Sequence, residues 1–282
     1  MFIRMCILLF SCVSLSAYEL SILAMFRDES NYLKEWVDYH RLVGVQHFWL
    51  YNDHSTDNWE SVLQPYIDEG VVNVITWTGE GGFKEQLTIY KEGIVNARGK
   101  TKWLAIIDID EFILPMHPKE QTVLESLDKH YQNASAVFLN WRNFGTGKIT
   151  LREGESLLQR LTACSLPEHP NNNVGKSIIR PECMNLEAPW SPHHVSLNPG
   201  LSYYNGSGRP FDEKIFSIFI PNTHRYLRIN HYVLRDEYFF QNYRYPRKIK
   251  MGEPPHLLME HYQSFSRTKD FAIQRFVEKL HP

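Results

Sequence analysis

No long basic stripe runs through the 282-residue chain: 30 Lys and Arg stand against 32 Asp and Glu, for a net charge of −2. The densest basic stretch, RYPRKIK at 244–250, reads as solvated surface, so the electrostatic grip that nucleic acid requires is missing. Cysteine is scarce too. Cys6 and Cys12 fall in the leader, and the remaining Cys164 and Cys183 either pair in an oxidising compartment or stay as thiols in a reducing one. The apolar part of MFIRMCILLFSCVSLSA is too short for a comfortable membrane span. It fits a secretory signal or anchor over residues 1–17, the one route to membrane association. Localisation follows from it: the secretory pathway or export if the segment is a signal, membrane-associated or cytosolic otherwise.

What is present is an ordinary globular composition, 43% hydrophobic, which is enough for a sizeable core in a single α/β domain. Leu20–Phe26 (LSILAMF) is a nearly continuous apolar run, the mark of a strand covered on both faces. A helix then starts at Arg27–Ser30, where Asp28 or Ser30 can cap it, and Gly44 stops it. Val45–Tyr51, Trp59–Glu69, Val71–Trp77 and Lys84–Ala97 continue the strand–helix alternation. That alternation predicts a mainly parallel sheet with helices on both faces. Ligands in such sheets sit beyond the carboxyl ends of the strands. Three polar clusters fall there: Arg27–Glu29, Asn52–Asp57 and Asp108–Glu111.

The third cluster is the odd one, because WLAIIDIDEFILP at 103–115 sets three acidic residues inside an apolar run. Buried carboxylates cost several kcal/mol unless compensated. If the strand continues through them, Asp108 and Asp110 point the same way and call for a cation. Hard oxygen ligands favour Mn²⁺ or Mg²⁺, which also bridges a diphosphate. An Asp-x-Asp by itself is weak; its place at a buried strand end gives it weight. The position after the first strand is RDES, with none of the glycines of a phosphate loop, which counts against a nucleotidyltransferase.

MFRDESNYLKEWVDYHRLVGVQHFWLYNDHSTDN, WLAIIDIDEFILP, FLNWRNFGTGK, GKSIIRPE and INHYVLRDEYFFQNYRYPRK together resemble glycosyltransferase family 92 and the similar family 2-like enzymes. The resemblance covers residues 20–250 and implies a GT-A, Rossmann-like fold over 18–250. Residues 251–282 would form a helical extension packing on it. It implies transfer of a sugar from a nucleoside diphosphate, with Mn²⁺ or Mg²⁺, to a glycan or other hydroxyl acceptor with inversion. Arg27, Glu29, Asp53 and Asp108 would bind the donor, and Asp108, Asp110 and His231 the metal, with the pair His193 and His194 as second choice. Glu182 is favoured over Glu187 and Asp212 as the base that deprotonates the acceptor. Trp141 and Asn143, at the end of AVFLNW, would shape the acceptor pocket. The alternative is a non-catalytic glycan- or nucleotide-binding protein on the same fold.

Overall fold

The computed structural model describes residues 17–82, 84–211 and 223–280. Residues 1–16 of the leader and Asp212 lie outside the described residues. The first half alternates as the apolar runs require: β1 (Tyr18–Phe26), α1 (Ser30–Leu42), β2 (His47–Asn52), α2 (Trp59–Asp68), β3 (Val72–Thr76), α3 (Gln86–Ala97) and β4 (Thr101–Ile106). There follow β5 (Glu111–Pro115), α4 (Val123–His130), β6 (Ala136–Asn143), α5 (Leu157–Arg160), β7 (Ala163–Cys164) and β8 (Gly175–Ile179). The last described elements are β9 (Tyr203–Asn205), β10 (Pro210–Phe211), β11 (Leu227–His231), α6 (Glu237–Phe239), α7 (Tyr245–Lys250), α8 (Pro255–Gln263), β12 (Thr268–Lys269) and α9 (Gln274–Leu280).

Strands β3, β2, β1 and β4 pair in parallel, in that order. β8 then runs antiparallel between β4 and β6, with β9 and β10 beyond. Along β1 the side chains divide by parity: Leu20, Ile22, Ala24 and Phe26 enter one core with Leu33, Trp36 and Leu63 of α1 and α2. Leu23 enters the other, with Ile89, Tyr90 and Ile94 of α3. Period-two alternation with both faces apolar is why LSILAMF reads as an unbroken hydrophobic run. The fold is therefore the α/β class expected, a mainly parallel sheet with helices on both faces. α9 lays Phe276 and Val277 into the first core, while Phe271 stays exposed.

Two local expectations change. Neither Asp28 nor Ser30 caps α1 with its side chain; Asp28 takes a left-handed φ of 55° and accepts the Thr56 N–H. The cap arrives from the next loop, as Asp57 accepts the Ser30 N–H at 2.7 Å. This exchange pins the loops after β1 and β2 to each other. Cys164 and Cys183 are both free thiols. Among the described residues no helix is long and apolar enough to cross a membrane.

His40 ties α1 to β5. Its Nδ1 donates to the Trp36 carbonyl at 2.8 Å and its Nε2 accepts the Ile113 N–H at 3.3 Å. Complete burial drops its pKa from 6.5 to about 3. The unfolded chain takes up a proton that the folded chain refuses. This contribution to stability is therefore full above pH 6.5 and falls by up to about 1.4 kcal/mol per pH unit as the pH drops toward 3. Urea unfolding from pH 7.5 to 4.5 should show a shallower acid slope in His40→Leu than in the native chain. The variant should also lose about 1–3 kcal/mol at pH 7.5, because it leaves the Trp36 carbonyl and Ile113 N–H unpaired. Equal slopes would refute the assignment.

Candidate active site

The carboxyl ends of β1, β2 and β4, all parallel, open on the same edge of the sheet. At the β2 end Asp53 is buried and surrounded by donors. Arg27 pairs with it at 2.7 Å, His54 Nδ1 lies 3.2 Å away, and the Gly82 N–H donates at 3.0 Å. Burial alone would raise the Asp53 pKa; the bonds from Arg27, His54 and Gly82 outweigh it and hold the carboxyl below the usual range. The loop after β3 closes over this carboxylate only because residue 81 is glycine. It sits at φ 71°, and a Cβ there would lie 1.9 Å from Asp53 Oδ1.

The acidic segment is not a continuing strand. β4 ends at Ile106, and residues 107–110 turn into β5. The turn is closed reciprocally: Glu111 N–H donates to the Asp108 carbonyl at 3.1 Å, and Asp108 N–H donates to Glu111 Oε2 at 2.9 Å. Asp108 and Asp110 therefore do not lie on one strand, the condition on which they were expected to point the same way, and they take different partners. Asp108 accepts from Lys176 Nζ at 2.9 Å and from the Tyr90 hydroxyl at 3.0 Å. Asp110 faces His231, 3.7 Å from its Nε2.

Lys176 belongs to β8 and its side chain is 1% exposed. Its Nζ also lies 4.0 Å from Glu111 Oε2. Burial would lower the Lys176 pKa, but the facing carboxylates of Asp108 and Glu111 raise it, so the ammonium stays charged. Burial pushes Glu111 well above the ordinary carboxylate range, against the pull of Lys176. Its Oε1 is buried with no hydrogen-bond partner.

β11 delivers His231 by pairing with β6 on one side and β5 on the other, which sets His231 opposite Asn143 and Glu111. His231 Nδ1 donates to Asn143 Oδ1 at 3.0 Å, leaving Nε2 as the lone-pair nitrogen toward Asp110. Burial lowers the His231 pKa to about 4, so the ring is neutral at pH 7. Among the described residues, Asp110, Glu111 and His231 bring ligand atoms within 4.8 Å of one another. Two carboxylates and an imidazole, with one buried oxygen lacking a partner, suit a divalent ion of Mn²⁺ type. This group contains Asp110 and His231 of the expected ligand set, with Glu111 beside them and Asp108 turned to Lys176 and Tyr90.

Other expected residues are placed differently. Asn143 is buried, and its carboxamide is spent on Asn172 and His231. It thereby positions the imidazole. Trp141 packs between His231, at 4.1 Å between ring centres, and His193, at 5.4 Å. His193 Nδ1 bonds the Gly175 carbonyl, and neither His193 nor His194 joins the acidic group. Glu182 accepts the Gly99 N–H at 2.6 Å, before β4 begins. At roughly 3.3 Å per residue, β4 separates it from Asp108 by about 20 Å. A base for a reaction at the acidic turn cannot act from there. Arg235 is an addition no local pattern announces. Buried at φ 51°, it pairs with Glu29 at 2.6 Å and donates to the Ile109 carbonyl at 3.2 Å, tying the β1 end to the acidic turn. Burial, with Asp110 and Asp108 nearby, raises the Glu29 pKa to about 7 against the Arg235 charge.

Comparison with known proteins gives the family of the chain. A glycosyltransferase family 92 protein of Ricinus communis is 28% identical over 193 residues, covering 67% of this chain and 33% of that protein. A galactan β-1,4-galactosyltransferase of Arabidopsis thaliana is 29% identical over 108 residues, 36% of this chain and 21% of that protein. The chain therefore spans about one third, or less, of these curated relatives. Residues 1–349 of S. aureus TarS overlay 67% of this chain and 60% of their own, at 10% identity and a TM-score of only 0.39. The family model for glycosyltransferase family 92 matches residues 20–205, from β1 through β9, and the chain belongs to that family.

Proposed function

We propose that this chain is a metal-dependent glycosyltransferase that moves a sugar from a nucleoside-diphosphate donor, a UDP-sugar foremost, to a hydroxyl of a glycan acceptor with inversion. The observation that carries the proposal is the gathering of Asp110, Glu111 and His231 at the carboxyl edge of the sheet, one buried oxygen still unpartnered. Asp110, Glu111 and His231 would hold Mn²⁺ or Mg²⁺. Such an ion, when bound, neutralises charge that builds on a departing diphosphate. Asp53, fixed by Arg27 and Gly82, stands at the β2 end for the base or ribose. Asp108, held ionised by Lys176 and Tyr90, would approach the ribose. In the transfer, the acceptor oxygen forms a bond to the anomeric carbon as the bond from that carbon to the diphosphate oxygen breaks. The electron pair leaves with the diphosphate, and the acceptor proton passes to a base. Trp141 remains the candidate for the acceptor side, next to His231.

The test is melting of the full chain with UDP and Mn²⁺, each alone and together. At a hundredfold excess over Kd, a ligand of the folded state adds about 2.7 kcal/mol, roughly 5–10 °C for a domain of this size. The shift should require both components. A chain that melts alike with every nucleoside diphosphate and Mn²⁺ would overturn the proposal.

A further inference from the structure

A cleft of about 680 Å³, a size suited to a nucleotide sugar, opens at the carboxyl end of β1. One wall is the β1 loop and the start of α1, with Arg27, Glu29 and Tyr32; the opposite wall carries Arg244, Arg247 and Lys250. That second wall has an unusual backbone. Residues Phe240–Arg244 form a π-helical turn before α7 begins. Pro246, which has no N–H to donate, stands in the first turn of α7. Such widened turns recur at functional sites because they re-aim side chains within a helical path.

Direct ion-pair partners are few on this wall. Arg247 and Lys250 have no hydrogen bond or ion pair among the described residues, and Arg244 has only a 3.4 Å contact from Nε to the Tyr262 hydroxyl. Lys248, between them in sequence, is satisfied by Glu253 at 2.6 Å. Burial and the neighbouring Arg244 charge lower the Arg247 pKa, while Asp110 and Glu29 pull the other way. Glu29 of the cleft is joined through Arg235 to the Ile109 carbonyl, which connects this cleft to the acidic turn. Two like charges held together beside a concave site are costly unless an anion joins them, and guanidinium forks match phosphate oxygens.

We propose that Arg244 and Arg247 bind the diphosphate of the donor from the side opposite Asp110, Glu111 and His231. The inference rests on the donor reading above. It gives the departing diphosphate two sources of positive charge, one of them belonging to the chain itself.

Calorimetric titration of the full chain with UDP, inorganic pyrophosphate and uridine, in Mn²⁺ and in EDTA, tests it. Arg244→Ala and Arg247→Ala should each weaken UDP and pyrophosphate about tenfold or more and leave uridine within about twofold. Arg247→Lys should recover part of the loss. Lys248→Ala should bind like the native chain. Unliganded melting curves of the variants confirm that they fold. Native protein that binds UDP while both alanine variants bind it equally well overturns the arginine assignment alone. Native protein that binds no nucleoside diphosphate overturns the donor reading, and this inference with it.

Discussion

Asp110→Asn should cut sugar transfer about a thousandfold or more while leaving the melting temperature within about 3 °C of the native chain. The asymmetry follows from what the carboxylate touches. Its side chain is 17% exposed and comes no nearer than 3.7 Å to His231 Nε2. The structural work of the residue is done by its backbone carbonyl, which accepts the Tyr232 N–H at 2.8 Å and is untouched by the substitution. An amide of the same shape therefore keeps the turn, but it gives up the negative charge that a divalent ion requires. Removing the electrostatic stabilisation of a leaving group is among the largest single losses an active site can suffer. Asp108→Asn is the contrast. It breaks the ion pair with Lys176 and should destabilise the fold as well as impair transfer. Transfer measured as UDP release, paired with a melting curve, separates the two cases. An Asp110→Asn protein retaining more than a tenth of native turnover would remove the acidic turn from the mechanism.

How much of this was legible in the sequence depends on sequence distance. The alternation of β1 through β4 could be read because each strand and helix carries its own period, and both cores are visible in LSILAMF alone. The acidic turn was legible as a strand end. Its shape was not, because nothing local shows that β4 stops at Ile106 instead of running on through Asp110. GKSIIRPE shows the difficulty most clearly. Its apolar pattern announces a strand but does not say which way it runs. Since β8 is antiparallel to β4, Lys176 at its beginning reaches the site and Glu182 after its end lies at the far edge. A parallel strand would have reversed the two assignments. Arg235 and Asn172 act through bonds to Glu29 and Asn143, which lie 206 and 29 residues away in the chain. No spacing rule links them.

Lys176→Met should lower stability by about 3–5 kcal/mol, the usual cost of stripping one partner from a buried ion pair. At 2–4 °C per kcal/mol for a chain of this length, that is about 10 °C in melting temperature. Methionine matches the lysine stem in length and removes only the ammonium, so packing is held nearly constant. What remains is Asp108 and Glu111 with no cation between them, although burial already raises the Glu111 pKa. Part of the loss should return in two ways. Adding Asp108→Asn removes one of the stranded charges, so the double variant should be more stable than the sum of the single losses predicts, by about 1 kcal/mol or more. Mn²⁺ should also raise the melting point of Lys176→Met more than that of the native chain, since an ion held by Asp110, Glu111 and His231 supplies charge where the ammonium no longer does. A Lys176→Met protein melting within about 2 °C of native would mean that the lysine is not what lets WLAIIDIDEFILP keep carboxylates in its core. The explanation would then shift to the protonation of Glu111 and to the solvent that reaches Asp108, whose side chain is 35% exposed.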